Sequence, residues 1–349
     1  MPGPLRSLMP MDAPLPEQIE PYRNISSKAY EHPADRAATA ALKAIPMLDT
    51  VVRRLIEWRY ERAMRQFYLG NSIRVSDRQL PELFGAFSHA KRILDLNSVQ
   101  ELYVHRHVFG DGTVIGARQP IVVLDAGLVE KLGPGEQIAL VAHELGHVLS
   151  DHVVYQTALN IMMSAGAGAI PFLGLPLRAV RAVLLEWYRA TELSCDRAAT
   201  LAVRDPRIVC RLQMVAAAGL PAERLDLDAF LAQALDYESW DDPSDRVRRF
   251  FNEIGRTHSN AVRRVSEVMA WVKSGEYDRI VRGEYRKRDD PTDVGQEASD
   301  AIEFYAERFR AFLRDAAENL GAVGSQLGDA GQQLADWVRS RTGRPPFGG

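Results

Sequence analysis

Apolar residues recur every three or four positions through most of this chain and alternate in only one region, which predicts a mostly helical α+β protein with one small mixed sheet. Leu48, Val51, Val52, Leu55, Ile56 and Tyr60 mark one helical face, and Leu80, Leu83, Phe84, Phe87, Ile93 and Leu94 mark another; both read as core-facing stripes. An Ala-rich helix from Asp35 to Ala44 precedes them. Residues 1–32 are Pro-rich and polar without a period, which predicts an extended segment draped over the surface. From Leu102 the period falls to two. LYVHRHVF, then TVIGA after the turn residues Gly110, Asp111 and Gly112, then PIVVLD from Pro120 to Asp125 read as short strands. His105 and His107 alternate onto one face of the first strand without a companion ligand motif and read as partly exposed.

Two buried or long helices follow the strands. Gly133, Pro134, Gly135 and Glu136 open the first, with proline in the first turn and an acid at the positive end of the helix dipole. The second should run from about Arg178 to Val203 and stop near Asp205 and Pro206. The stretch from Val153 to Leu177 carries no charge and is long enough to suggest a membrane span. Tyr155, Gln156, Thr157 and Asn160 are polar, however, and Gly166, Gly168, Pro171, Gly174 and Pro176 interrupt the run, so a buried helix followed by a flexible connection is favoured. Toward the end, Ile302, Tyr305, Phe309, Phe312, Ala316, Leu320, Val323, Leu327, Leu334 and Trp337 form the stripe of an amphipathic helical tail. Gly321, Gly324, Gly328 and Gly331 weaken its second half by up to about 1 kcal/mol each, so it needs a partner surface.

Composition narrows the function. A net charge of −3 over 349 residues, with no basic run or interleaved aromatics, excludes a nucleic-acid binder. Only Cys195 and Cys210 are present, which is no disulfide framework and fits a reducing compartment. MPGPLRSLMPMDAPLPEQ has proline and charge where an export signal needs an apolar run, so a cytoplasmic protein is expected. From Gln296 to Arg344 eight acids face six arginines, a balance that disfavours docking on an anionic membrane. Packing of the tail against the main domain, or pairing with a second copy, is expected instead.

The chemistry concentrates in VAHELGHVLSDH, where His143, Glu144 and His147 stand in the spacing HExxH. Residues four apart share a helix face, so two imidazoles can reach one zinc ion, while Glu144 flanks it as a base for water. In TELSCDRAA, Glu192 and Asp196 lie four apart; the first suits a third metal ligand and the second can accept a hydrogen bond from a ligand histidine. The spacing HExxHxxGxxH is ruled out, because Ser150 and Val153 occupy the positions it needs. His152 is one residue off register, about 140° around a helix from His147, and suits a supporting hydrogen bond. Glu186 is a rival third ligand without a partner placed like Asp196.

These residues resemble the HtpX-like and CAAX-prenyl-protease-like zinc metallopeptidases, a group of the gluzincins, over roughly Leu102 to Tyr285. GEQIALVAHELGHVLSDH is similar to that family's active helix and ATELSCDRAA to its ExxxD helix, with Arg189 where the family often has arginine. The resemblance implies a zincin-like catalytic domain with one zinc ion per chain held by His143, His147 and Glu192. It implies Glu144 as catalytic base and Asp196 as the carboxylate behind a ligand. THSNAVRRV resembles the family's THPP motif and downstream arginine, which nominates His258 and Arg264 as catalytic, although Ser259 replaces the usual proline. Asp111 and Gly112 also replace an Asn-Ala pair before the edge strand.

The expected organisation is an extended segment over 1–32, a metallopeptidase domain over 33–285 with a helical part (33–100) and a catalytic core (101–285), a charged linker over 286–295, and the tail over 296–341. The expected activity is zinc-dependent endopeptidase hydrolysis of an extended protein or peptide substrate, aligned by an edge strand near Pro120 to Asp125. His258, Arg264 and Tyr188 are the candidate oxyanion donors. The alternative is a non-catalytic zinc-stabilised scaffold binding unfolded or membrane proteins; the presence of Glu144 argues against it, since structural zinc sites close all four positions and need no base.

Overall fold

The computed structural model describes residues 19–43, 61–99, 101–106, 110–116, 118–164, 177–239 and 260–290. Three helices and a two-residue strand, α1 (Pro33–Lys43), α2 (Glu61–Asn71), β1 (Ile73–Arg74) and α3 (Pro81–Ile93), lead to the strands β2 (Glu101–His105), β3 (Gly112–Ile115) and β4 (Ile121–Asp125). After the short α4 (Ala126–Val129) come α5 (Pro134–Leu149), α6 (Val153–Ser164), α7 (Leu177–Val203), α8 (Pro206–Ala218), α9 (Leu227–Ser239), α10 (Ala261–Lys273) and α11 (Glu276–Val281). The helical stripe from Leu48 to Tyr60, His107 and the tail fall outside the described residues.

The sheet is mixed, in the order β1-β2-β4-β3, with β2 and β4 parallel and both outer pairs antiparallel. This corrects one expectation. Among the described residues the strand over Ile121–Asp125 is interior, paired on both sides, and β1 and β3 are the edges. All four β3 residues are nevertheless buried. Helix α6 lies against this strand, where Asn160 Nδ2 donates to Thr113 Oγ1 at 3.3 Å and Gly116 N donates to Thr157 Oγ1 at 3.4 Å.

Helix α5 is the axis of the core. Gly133 precedes it, Pro134 takes its first turn, and Glu136 pairs with Arg211 at 2.6 Å. Its apolar residues from Ile138 to Leu145 are buried between α3, α7 and the sheet. Each fully buried large aliphatic side chain there contributes about 1.5–3 kcal/mol relative to exposure. Gly146 faces α7: a β-carbon there would stand 3.0 Å from Ala198 Cβ and 3.2 Å from Cys195 Cα, tighter than ordinary contact. Glycine thus sets the close crossing that brings the two motif-bearing helices together.

Residues 19–30 do not drape over the surface as expected. Ile19, Tyr22, Ile25 and Tyr30 sink into the core, and Ile25 bridges Lys287 in the first part of the linker. Arg288 adds hydrogen bonds to Ile25 O, Leu94 O and Asp95 O, so residues 286–290 are pinned to the N-terminal segment. Among the described residues no helix is long and apolar enough to cross a membrane.

Candidate metal centre

The crossing of α5 and α7 gathers His143, Glu144, His147, Glu192 and Asp196, all at most 4% exposed. His143 Nε2 lies 3.5 Å from Glu192 Oε2, and His147 Nε2 lies 3.3 Å from Glu192 Oε1. Both imidazoles therefore turn the same nitrogen toward one carboxylate. Their other nitrogens are held from behind: His143 Nδ1 is 3.1 Å from Asp196 Oδ1, and His147 Nδ1 is 3.3 Å from His152 Nδ1. Asp196 in turn accepts Gln213 Nε2 at 3.2 Å and two guanidinium bonds from Arg264, at 2.7 Å and 2.6 Å. The third nitrogen, Arg264 Nη1, lies 3.2 Å from Glu192 Oε2. Tyr188 stacks on His147 with rings 5.8 Å apart and 6° from parallel, and its hydroxyl accepts Gln156 Nε2.

Electrostatics follow from burial among charges. Burial alone would lower His143, but Glu192 and Asp196 outweigh it and carry the imidazole up to about 10. His147 is dominated by burial, against the pull of Glu192, and falls to about 4. Burial raises Glu144 to about 8, with Glu192 and Asp111 adding to it. Burial would also raise Asp196, yet the Arg264 guanidinium holds it below the usual carboxylate range.

A zinc ion fits this donor set. His147 Nε2 and Glu144 Oε2 are buried without a hydrogen-bond partner among the described residues, a cost of about 1–3 kcal/mol for each such group unless a ligand meets it. Glu192 and Asp196 also share Arg264 and the charged His143 as their cations, and a divalent ion would replace the proton on His143. Nitrogen and carboxylate donors of this kind suit zinc. His143, His147 and Cys195 also offer ligand atoms within 4.8 Å of one another. We favour Glu192 over the thiol. Cys195 Sγ sits 4.0 Å from His152 Nδ1, and burial with the neighbouring carboxylates, Glu192 first among them, keeps it protonated, whereas a metal ligand must be a thiolate.

The charge on His143 makes zinc uptake pH-dependent. Its raised pKa means that the imidazolium stabilises the zinc-free fold fully below about 6.5, and that this contribution is lost as pH rises through about 10. Ligation needs the neutral ring, so each zinc bound near pH 7 should displace at least one proton and apparent affinity should climb between pH 7 and about 10. Calorimetry in buffers of different ionisation enthalpy measures that release; a pH-independent affinity would contradict it.

Sequence reasoning thus named a set that the fold brings together: His143, Glu144, His147, Glu192, Asp196 and Arg264. Arg264, nominated as an oxyanion donor, instead spends its guanidinium on Asp196 and Glu192. His258 and the side chain of Glu186 lie outside the described residues. His105 stays at the far end of β2, hydrogen-bonded near Ser72 and Asn71. Three contributors escaped the sequence reading. Gln213 reaches Asp196 from α8. Asp35 stands 3.1 Å behind His152. A β-carbon on Gly112 would lie 2.6 Å from Glu144 Oε1, so glycine at that position makes room for the carboxylate.

Two crossed helices that set an HExxH pair and a third carboxylate around one buried point, beside a small mixed sheet, define a metallopeptidase. Residues 113–272 match peptidase family M48. The plastoglobule-localized metallopeptidase 48, chloroplastic, of Arabidopsis thaliana is 34% identical over 272 residues, covering 76% of this chain and 78% of that protein. The chain belongs to peptidase family M48. No solved structure matches it.

Proposed function

We propose that the chain is a zinc-dependent endopeptidase that cleaves extended protein segments, with His143, His147 and Glu192 as the zinc ligands and Glu144 as the general base. The observation that carries this reading is the convergence of both histidine Nε2 atoms on the two oxygens of Glu192, beside a buried Glu144. Zinc bound there would supply Lewis-acid polarisation of a water and of the scissile carbonyl. Glu144 takes the proton of the attacking water and returns it to the leaving amine, a cycle suited to a carboxylate whose burial lifts it toward neutrality. Asp196 accepts the Nδ1 proton of His143 and so keeps the Nε2 lone pair toward the ligand position. Arg264 neutralises both carboxylates and acts as a positioning residue.

The edge strand β3 would pair with the backbone of an extended peptide, a reading supported by the approach of its Gly112 to Glu144. Chelation should abolish cleavage of casein, and stoichiometric zinc should restore it. Full activity in rigorously metal-free protein would overturn the reading.

A further inference from the structure

A chain of buried polar groups runs from the face of His147 opposite the ligand position to the N-terminal helix. His147 Nδ1 lies 3.3 Å from His152 Nδ1, and His152 Nε2 lies 3.1 Å from Asp35 Oδ2 on α1. Asp35 and His152 are each 1% exposed. Asp35 is fixed in turn: Thr39 Oγ1 donates to its Oδ1 at 3.0 Å and Ser194 Oγ to its Oδ2 at 2.6 Å, while Trp187 Nε1 donates to Thr39 at 2.8 Å. The backbone makes the chain feasible. Helix α5 ends at Leu149, Asp151 takes a left-handed conformation at φ 58°, and His152 N bonds His147 O at 2.9 Å, so the His152 ring folds back onto His147.

We propose that Asp35 and His152 are positioning residues that set the tautomer and orientation of His147, with α1 supplying the anchor from well upstream of the matched family region. The inference rests on His147 being a zinc ligand.

Hydrogen-bond parity gives the direction. Asp35 is a carboxylate that already accepts two hydroxyl protons, so the His152 nitrogen facing it must donate. With its proton on Nε2, a neutral His152 presents a lone pair at Nδ1, and His147 must donate from its own Nδ1. The remaining nitrogen of His147, Nε2, then keeps its lone pair on the side of Glu192. The opposite order fails. A proton on His152 Nδ1 would make His147 Nδ1 the acceptor and move the His147 proton to Nε2, where a metal ligand cannot carry one. Cys195 Sγ, 4.0 Å from His152 Nδ1, is the other polar neighbour of that nitrogen and forms the weaker contact.

The direct test is nitrogen-15 NMR of the histidine rings in the unmutated, zinc-loaded full chain. The expected result is a proton on Nδ1 of His147 and on Nε2 of His152. A proton on Nδ1 of His152 would overturn the proposal. Asp35→Asn and His152→Gln supply a second reading, by chelator competition for zinc and the visible spectrum of the cobalt-substituted protein. Each should weaken zinc affinity about 10–100-fold and shift the cobalt bands. Ser194→Ala removes a bond to the same Asp35 oxygen but leaves the imidazole chain, and should change zinc affinity far less. A wild-type affinity and spectrum in the relay variants, or an equal loss in Ser194→Ala, would reduce the network to packing and refute the proposal. Absence of zinc from the wild type, or normal zinc binding by His147→Ala, would refute the ligand assignment instead.

Discussion

Glu144→Gln should leave close to one zinc per chain and lower peptidase turnover by about 10²–10⁴-fold. The substitution is nearly isosteric, and the side chain is 3% exposed and lies against Gly112. The three proposed zinc ligands remain in place, so the metal should too. The group that is lost is the one able to take and return a proton, and a loss of that size corresponds to about 3–5 kcal/mol of barrier. Casein cleavage and metal content, measured on the same preparation, check the claim. Undiminished turnover in the zinc-loaded variant would remove Glu144 from the mechanism.

Glu192→Ala should lose most of the metal. Its carboxylate is the meeting point of both histidine Nε2 atoms, and it lies at the foot of the Arg264 guanidinium. Asp196→Ala should behave differently. Zinc should still bind, with affinity or activity reduced about 10–100-fold, because the residue holds a ligand rather than the ion. It should also cost stability, about 3–5 kcal/mol, since a buried Arg264 then loses its principal partner. Zinc binding by Glu192→Ala at the wild-type level would place the third ligand elsewhere.

Much of this site was legible because its information is local. HExxH on α5 and the four-residue step from Glu192 to Asp196 on α7 each specify a helix face, and the helical periods of α3, α5 and α7 gave nearly the observed ranges. What was not legible depends on distant pairing. The order that makes β4 interior and β3 an edge is set by contacts between strands, and the run PIVVLD reads the same in either position. Ile19, Tyr22, Ile25 and Tyr30 stand at steps of three, three and five beside a Pro-rich polar stretch, too short a pattern to signal their burial. Asp35 sits in an Ala-rich helix with no acid-base partner at helical spacing; its meaning lies in His152, more than a hundred residues away. His152 itself lies past the end of α5 at Leu149, so the 140° helical angle from His147 does not apply to it. The left-handed turn at Asp151 reverses the chain and puts the ring beside His147.

X-ray absorption at the zinc edge of the reconstituted full-length protein tests the ligand set most directly. Nitrogen and oxygen donors at about 2.0–2.2 Å are expected, with the multiple scattering of two imidazoles and no sulfur. A sulfur shell at about 2.3 Å would put Cys195 on the metal and contradict the assignment of Glu192 as the third ligand.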